Sequence, residues 1–98
     1  MKGVGRLQAA VVGAGLMGSW HAAASVRSGA RLAVVVDREL ARARRLAARH
    51  RGCRATTELD TALAESSVRV FHLCTPAATR VPLATRVLEE GRHLLHEL

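Results

Sequence analysis

The stretch Val11-Val12-Gly13-Ala14-Gly15-Leu16-Met17-Gly18 decides the fold. An apolar run ends in a Gly-x-Gly-x-x-Gly turn, and a helix-forming segment follows. That is the pattern of a phosphate-binding turn between a strand and a helix. Each glycine has its own task. Gly13 permits the tight turn out of the strand, where a Cβ would clash. Gly15 lets the backbone come close to a pyrophosphate, and Gly18 lets the helix lie close on the sheet. The backbone of Ala14, Gly15, Leu16 and Met17 then faces the anion, and the helix dipole adds to the attraction.

Working outward, the next decisive residue is Asp37, at the end of the apolar run Leu32-Ala33-Val34-Val35-Val36. A carboxylate at the end of the second strand can accept hydrogen bonds from the adenosine ribose hydroxyls, and it repels a 2′-phosphate. An ordinary helix N-cap is the other reading of the same residue. Arg38 follows directly, and a guanidinium there could accommodate a 2′-phosphate. NAD is the expected cofactor, with NADP as the second option.

The rest of the chain alternates in the same way. Residues 7–12 read as a buried strand, because the run is nearly continuously apolar. A helix follows over 16–28, with Leu16, Trp20, Ala23 and Ala24 at helical spacing and Gly29 as its stop. A second strand covers 31–36, and a helix of strong formers covers 39–51, closed by Gly52. A brief third strand (53–56) precedes a short helix to about residue 65, with Thr57 as its cap. The fourth strand spans 68–74 and is closed by Thr75-Pro76. A fourth helix (79–90) places Pro82 in its first turn, where proline is tolerated. Gly91 ends it, and a fifth strand begins at His93. With right-handed crossovers this order gives a single-domain α/β fold, a doubly wound parallel sheet of Rossmann type with strand order 3-2-1-4-5. The order reverses between the first and fourth strands, so the glycine turn and Thr75-Pro76 flank one ligand crevice.

Bulk properties narrow the function classes. The 98 residues suffice for one domain. No apolar run approaches the ~20 residues of a membrane span, and the N-terminus shows no signal-peptide pattern. Cys53 and Cys74 have neither metal-ligand spacing nor a disulfide-rich setting, so a reducing cytoplasm is the expected compartment and no metal site is expected. The net charge is +7, and every basic residue except Lys2 is an arginine. Aromatic interleaving is lacking, so a nucleic-acid partner is not expected and the charge reads as compositional bias.

Few other residues suggest chemistry. Arg38, Arg42, Arg45 and Arg49 share one helical face, which is expected to be solvated. His72, within an apolar strand, is expected to be a hydrogen-bonded core residue, and Cys74 a small hydrophobe near the crevice. Trp20 is expected to pack beneath the sheet. No catalytic triad or paired carboxylates are present, and no catalytic residue is assigned.

The motifs together carry a resemblance. Val11 to His21 (including the histidine three residues after the last glycine), Val36-Asp37-Arg38, Thr75-Pro76 and the run Leu88 to Glu97 resemble the nucleotide-binding half of the Gfo/Idh/MocA oxidoreductases. The likeness extends from about Leu7 to Leu98. It implies that Thr75, Pro76 and Glu97 stand near the nicotinamide. It also implies a reaction: NAD(P)-dependent oxidation of a sugar or cyclitol hydroxyl, or the reverse reduction.

Three departures matter. The family's frequent histidine after the Thr-Pro turn falls on Arg80. Its Glu-Lys-Pro lysine, implied to position and protonate substrate, falls on Leu98. The second domain of the family, which holds substrate, lies outside the sequence. The expectation is therefore a cofactor-binding domain inactive by itself, completed by a separate chain or by a missing C-terminal part. The alternative is a free-standing, non-catalytic nucleotide-binding or sensing module. An exposed apolar patch around the fifth strand and last helix, and hence self-association, is also expected.

Overall fold

The computed structural model describes residues 6–96. Its elements run β1 (Gln8–Val12), α1 (Leu16–Arg27), β2 (Arg31–Val36), α2 (Leu40–Ala47), β3 (Arg54–Thr56), α3 (Leu59–Leu63), β4 (Val68–Leu73), α4 (Ala77–Glu89) and β5 (His93–Leu95). The five strands form one sheet in the order β3-β2-β1-β4-β5, and every neighbouring pair is parallel. This is the Rossmann-type sheet expected from the alternation.

The apolar core divides by sheet face, as alternation along a strand requires. Ala10, Val12, Phe71 and Leu73 pack with Leu63 and Val87 on the side of α3 and α4. Val11, Leu32 and Val35 pack with Ala22, Ala43 and Leu46 on the side of α1 and α2. β1 and β2 read as continuous apolar runs because helices cover both of their faces.

Helix α1 corrects the sequence reading. Its buried residues are Gly18, Ala22 and Ser25, not the stripe through Leu16 and Trp20. Trp20 is 61% exposed and does not pack beneath the sheet. The reason is steric. The turn holds α1 too close to β1 for a large side chain, so the face toward the sheet is built from small residues and the bulky ones point outward.

Other boundaries shift by a turn or less. α2 ends at Ala47, earlier than the reading to residue 51, and Gly52 at φ +74° turns the chain into β3. The N-cap of α3 is Glu58, and the hydroxyl of Thr56, not Thr57, accepts its N–H at 3.1 Å. α4 starts at Ala77 with Pro76 as N-cap, which puts Pro82 inside the helix and beyond its first turn. Proline supplies a φ already suited to a helix but no donor for the turn behind it.

Arg92 is an interior cation that the sequence did not announce. It is 6% exposed, and its Nη2 donates to the carbonyls of Leu63 at 2.7 Å and Glu65 at 3.2 Å. The Leu63 carbonyl lies at the end of α3, where helical acceptors run out of partners, and the Glu65 carbonyl just beyond it also accepts the Val68 N–H at 3.0 Å. The guanidinium binds both and ties α3 to the entry of β5.

Candidate functional site: the crevice at the strand-order switch

The glycine turn is held by contacts that only glycine allows. Gly13 has φ +103°, and a Cβ there would stand 2.5 Å from the carbonyl oxygen of Cys74. A Cβ on Gly18 would collide with the carbonyl oxygen of Gly13 and lie 2.9 Å from its carbon. These two glycines therefore set how closely β1, α1 and the end of β4 approach. Gly15 caps α1 without any side-chain hydrogen bond, and the first turn of α1 contains no acidic residue. Its leading N–H groups are left for an anion, favoured by the positive end of the helix dipole.

Asp37 crosses from the end of β2 to this turn. Its Oδ2 accepts the Ala14 N–H at 2.8 Å, and its Oδ1 accepts the Glu39 N–H at 2.8 Å. The carboxylate thus ties the glycine turn to the start of α2, and each oxygen retains lone-pair capacity for a further donor. The N-cap alternative is realised only in part. The N-cap of α2 is Glu39, and Asp37 binds its backbone from two residues upstream in an Asx-type turn.

Arg42, read from the sequence as part of a solvated stripe, belongs to the site. Its Nε lies 3.8 Å from Asp37 Oδ2 and its Nη1 3.6 Å from Glu39 Oε2. Its Nη2 comes within 3.4 Å of where a Gly15 Cβ would be. Arg38, Arg45 and Arg49 are exposed, as expected of that face. The i, i+4 periodicity was visible in the sequence, but the bend of Arg42 back toward Asp37 follows from the approach of α2 to the glycine turn.

A crevice of about 1070 Å³ opens between these groups and the end of β4. Gly13, Gly15, Leu16 and Met17 line it on one side, Asp37 and Arg38 on the second, and Thr75 and Pro76 on the third. Ala14 borders the neighbouring notch instead, and Gly18 is buried behind the turn. Glu97 lies outside the described residues. Arg80, at the position of the family's histidine, lines the crevice and donates from Nη2 to the Thr75 carbonyl at 3.1 Å. It braces the Thr75-Pro76 turn. Thr75 Oγ1 is buried with no protein hydrogen-bond partner.

Two histidines meet behind the crevice. The Nδ1 atoms of His21 on α1 and His72 on β4 are 3.0 Å apart, with the rings edge-to-face. One ring donates its Nδ1 proton to the other, which fixes complementary tautomers. His72 is 7% exposed, and burial, reinforced by the nearby His21, lowers its pKa to about 4. It is a hydrogen-bonded core residue, as expected. Cys74 is half-buried and lines the crevice while packing against the core on the α1 side. Burial raises the Cys53 thiol to about 11, away from any nucleophilic role.

A family profile described as an oxidoreductase family with an NAD-binding Rossmann fold, Gfo/Idh/MocA, matches residues 7–98. The chain belongs to that family. It is 42% identical over 93 residues to inositol 2-dehydrogenase 4 of Saccharopolyspora erythraea, covering 93% of this chain and 28% of the relative. It is 43% identical over 90 residues to inositol 2-dehydrogenase 1 of Mycolicibacterium vanbaalenii, covering 90% and 26%. Among solved structures, GenD2 from gentamicin A biosynthesis, in complex with NAD, superposes with a TM-score of 0.89 at 44% identity, covering 93% of this chain and 26% of that one. A myo-inositol dehydrogenase from Corynebacterium glutamicum gives 0.84 at 32% identity, covering 93% and 27%. The chain spans little more than a quarter of the length of these relatives.

This Gfo/Idh/MocA domain is therefore an NAD-binding Rossmann domain. The residues present fit the cofactor: Gly13 and Gly18 leave no room for a Cβ, the first turn of α1 is uncapped, and a carboxylate stands at the end of β2. Among the described residues no group of three or more His, Cys, Asp or Glu side chains could hold a metal ion, and no helix is long and apolar enough to cross a membrane.

Proposed function

We propose that this chain is the cofactor-holding part of an NAD(P)-dependent oxidoreductase acting on a hydroxyl or carbonyl of a sugar- or cyclitol-like substrate. The observation that carries this reading is the Asp37 link. One carboxylate, bonded to Ala14 at 2.8 Å, stands between the uncapped start of α1 and the end of β2. The backbone of Ala14 to Met17 holds the pyrophosphate, and Asp37 accepts from the adenosine ribose. Gly13 and Gly18 keep the turn tight enough for that approach, with Arg38 at the rim. Thr75 and Pro76, braced by Arg80, border the nicotinamide side, and Glu97 belongs to the same side on the family resemblance. When bound, the nicotinamide supplies the hydride acceptor or donor. This chain's residues orient it and shield one of its sides.

The inositol dehydrogenases among the relatives support a polyol substrate class. Hydride transfer also needs a substrate held against the nicotinamide and a proton-transferring group. Both come from polypeptide beyond these residues, on a separate chain or a C-terminal extension, so the 98 residues alone bind cofactor without turnover. Calorimetric titration with NAD⁺ and NADH, beside Asp37→Ala, tests the binding. Saturable binding weakened by the substitution supports the reading, and no binding by a chain shown to be folded overturns it. Binding that no substrate-domain chain converts into myo-inositol oxidation favours a free-standing nucleotide-binding module instead.

A further inference from the structure

The net charge of the chain is gathered in one place. Residues 27–54 hold nine arginines against Asp37 and Glu39, so this stretch alone accounts for the whole +7. In the fold it runs from the end of α1 through β2 and α2 to β3, the edge strand. The opposite helical layer differs: Glu58, Asp60, Glu89 and Glu90, on α3, α4 and their caps, outnumber Arg80 and Arg86. A compositional preference for arginine would spread it over both layers. On α2 and the turn after it, Arg42 alone has a carboxylate within 4 Å; among the described residues, Arg44, Arg45, Arg49 and Arg51 have none. Like charges three and four positions apart disfavour a helix, so folding does not account for Arg42, Arg45 and Arg49 on one flank. These three guanidiniums and Ser19 border a depression of about 120 Å³ between α2 and α1, roomy enough for a phosphate group with a few waters.

A second feature stands beside this notch. Ser19 places the notch on the α2 side of α1, and His21, bonded to His72, places β4 on the other side. Trp20 lies between them and faces outward, 61% exposed. It is the chain's one tryptophan, and Arg27, two helical turns on, shares its side of α1 and is exposed. An indole in that position adds little to the core and offers a π-face to a flat partner. A cationic notch of phosphate size and an open indole on one surface match the two halves of a nucleotide. Guanidiniums take backbone phosphates, and the ring stacks on a base. A duplex hides its bases from such a ring, and an acidic peptide has no base to offer. We propose that the α1–α2 surface binds single-stranded nucleic acid, with Arg45 and Arg49 on phosphates and Trp20 stacked on a base. Arg45, Arg49 and Trp20 do not line the NAD crevice, so this binding stands apart from the cofactor reading.

The test is an anisotropy titration of a fluorescein-labelled oligouridylate of about 20 nucleotides with the full 98-residue chain, at salt from about 50 to about 200 mM. Binding is expected at the low end and should weaken with salt, log K falling by about 0.7 per contacted phosphate for each tenfold rise. It should also quench the Trp20 fluorescence. Arg45→Ala/Arg49→Ala should lose about tenfold in affinity and about 1.4 of the salt slope. Trp20→Ala should lose about fivefold or more with the slope kept, and Trp20→Phe should recover most of that. Circular dichroism checks that each variant keeps the fold. No binding at low salt overturns the proposal, as does an affinity that none of the variants changes. Equal or tighter binding of a duplex RNA hairpin, or an unquenched Trp20, removes the stacked base and with it the single strand. Displacement by inorganic polyphosphate or polyglutamate as effective as that by unlabelled oligouridylate, at equal charge, makes the surface a general polyanion or acidic-protein site and overturns the assignment.

Discussion

The carboxylate of Asp37 accepts the backbone N–H of Ala14, 23 positions earlier, at 2.8 Å. One side chain thus joins the end of β2 to the middle of the glycine turn, so local stability and the proposed ribose contact share a residue. Asp37→Ala leaves the Ala14 and Glu39 N–H groups without this acceptor. Hydrogen bonds to a charged group contribute about 1.5–3 kcal/mol each when truncated. Loss of about 3 kcal/mol or more in urea unfolding is expected, with NAD⁺ affinity down by about tenfold or more. A variant that loses stability but keeps its affinity would take Asp37 out of the ribose contact.

Gly18 and Gly29 separate two reasons for glycine. A Cβ at Gly18 meets the Gly13 backbone, whereas at Gly29 nothing lies within 4 Å but φ is +99°. Gly18→Ala must push α1 off the sheet and is expected to cost about 3 kcal/mol or more, as overpacking against immovable backbone does. Gly29→Ala carries only conformational strain of about 1–2 kcal/mol. Denaturant midpoints of the two variants check the ranking. Gly18→Ala should also abolish NAD⁺ binding, while Gly29→Ala should leave it intact.

Stability should fall with mild acid because of His72. Its pKa is lowered from 6.5 to about 4 in the fold, so the unfolded chain takes up a proton first as pH drops. The contribution is fully present above pH 6.5 and declines as pH falls toward 4. By pH 5 this amounts to about 2 kcal/mol lost. His50, also lowered, chiefly by partial burial, acts in the same direction. Urea midpoints at pH 7 and pH 5 measure the decline. His72→Gln should flatten most of it, and an unchanged decline would assign it elsewhere.

Arg92 holds two carbonyls of the α3 end inside the protein. Arg92→Met keeps much of the apolar stem but leaves the Leu63 and Glu65 carbonyls without this donor. The Glu65 carbonyl still accepts the Val68 N–H at 3.0 Å, so one buried acceptor is left unsatisfied, at about 1–3 kcal/mol, and a loss of that size is expected. Hydrogen exchange should quicken first around α3 and the start of β4. A stability change below about 0.5 kcal/mol would mean water replaces the guanidinium at no cost.

Val81 and Leu88 lie seven residues apart on α4 and are 71% and 57% exposed. Leu95 on β5 is also exposed. The proposed self-association then runs through α4. Sedimentation should show a mass that rises with concentration, and Val81→Glu/Leu88→Glu should return it to a monomer. A monomer at all concentrations in the parent chain removes the proposal.

What the amino-acid order determined by itself is local or follows from chain connectivity. Glycine spacing, short apolar runs and turn residues specify the alternation of elements, and right-handed crossovers then leave one strand order. The switch point, the glycine cradle, Asp37 and Thr75-Pro76 were legible for that reason. Tertiary structure decided what depends on residues far apart in the chain meeting at close range. The tight seat of α1 turned Trp20 outward and brought Gly18, Ala22 and Ser25 inward. Packing of α1 against β4 paired His21 with His72, 51 positions away. The approach of α2 to the glycine turn drew Arg42 to Asp37, and the end of α3 captured Arg92. Periodicity shows that a helix has a face, but which face is buried depends on the space left by its neighbour.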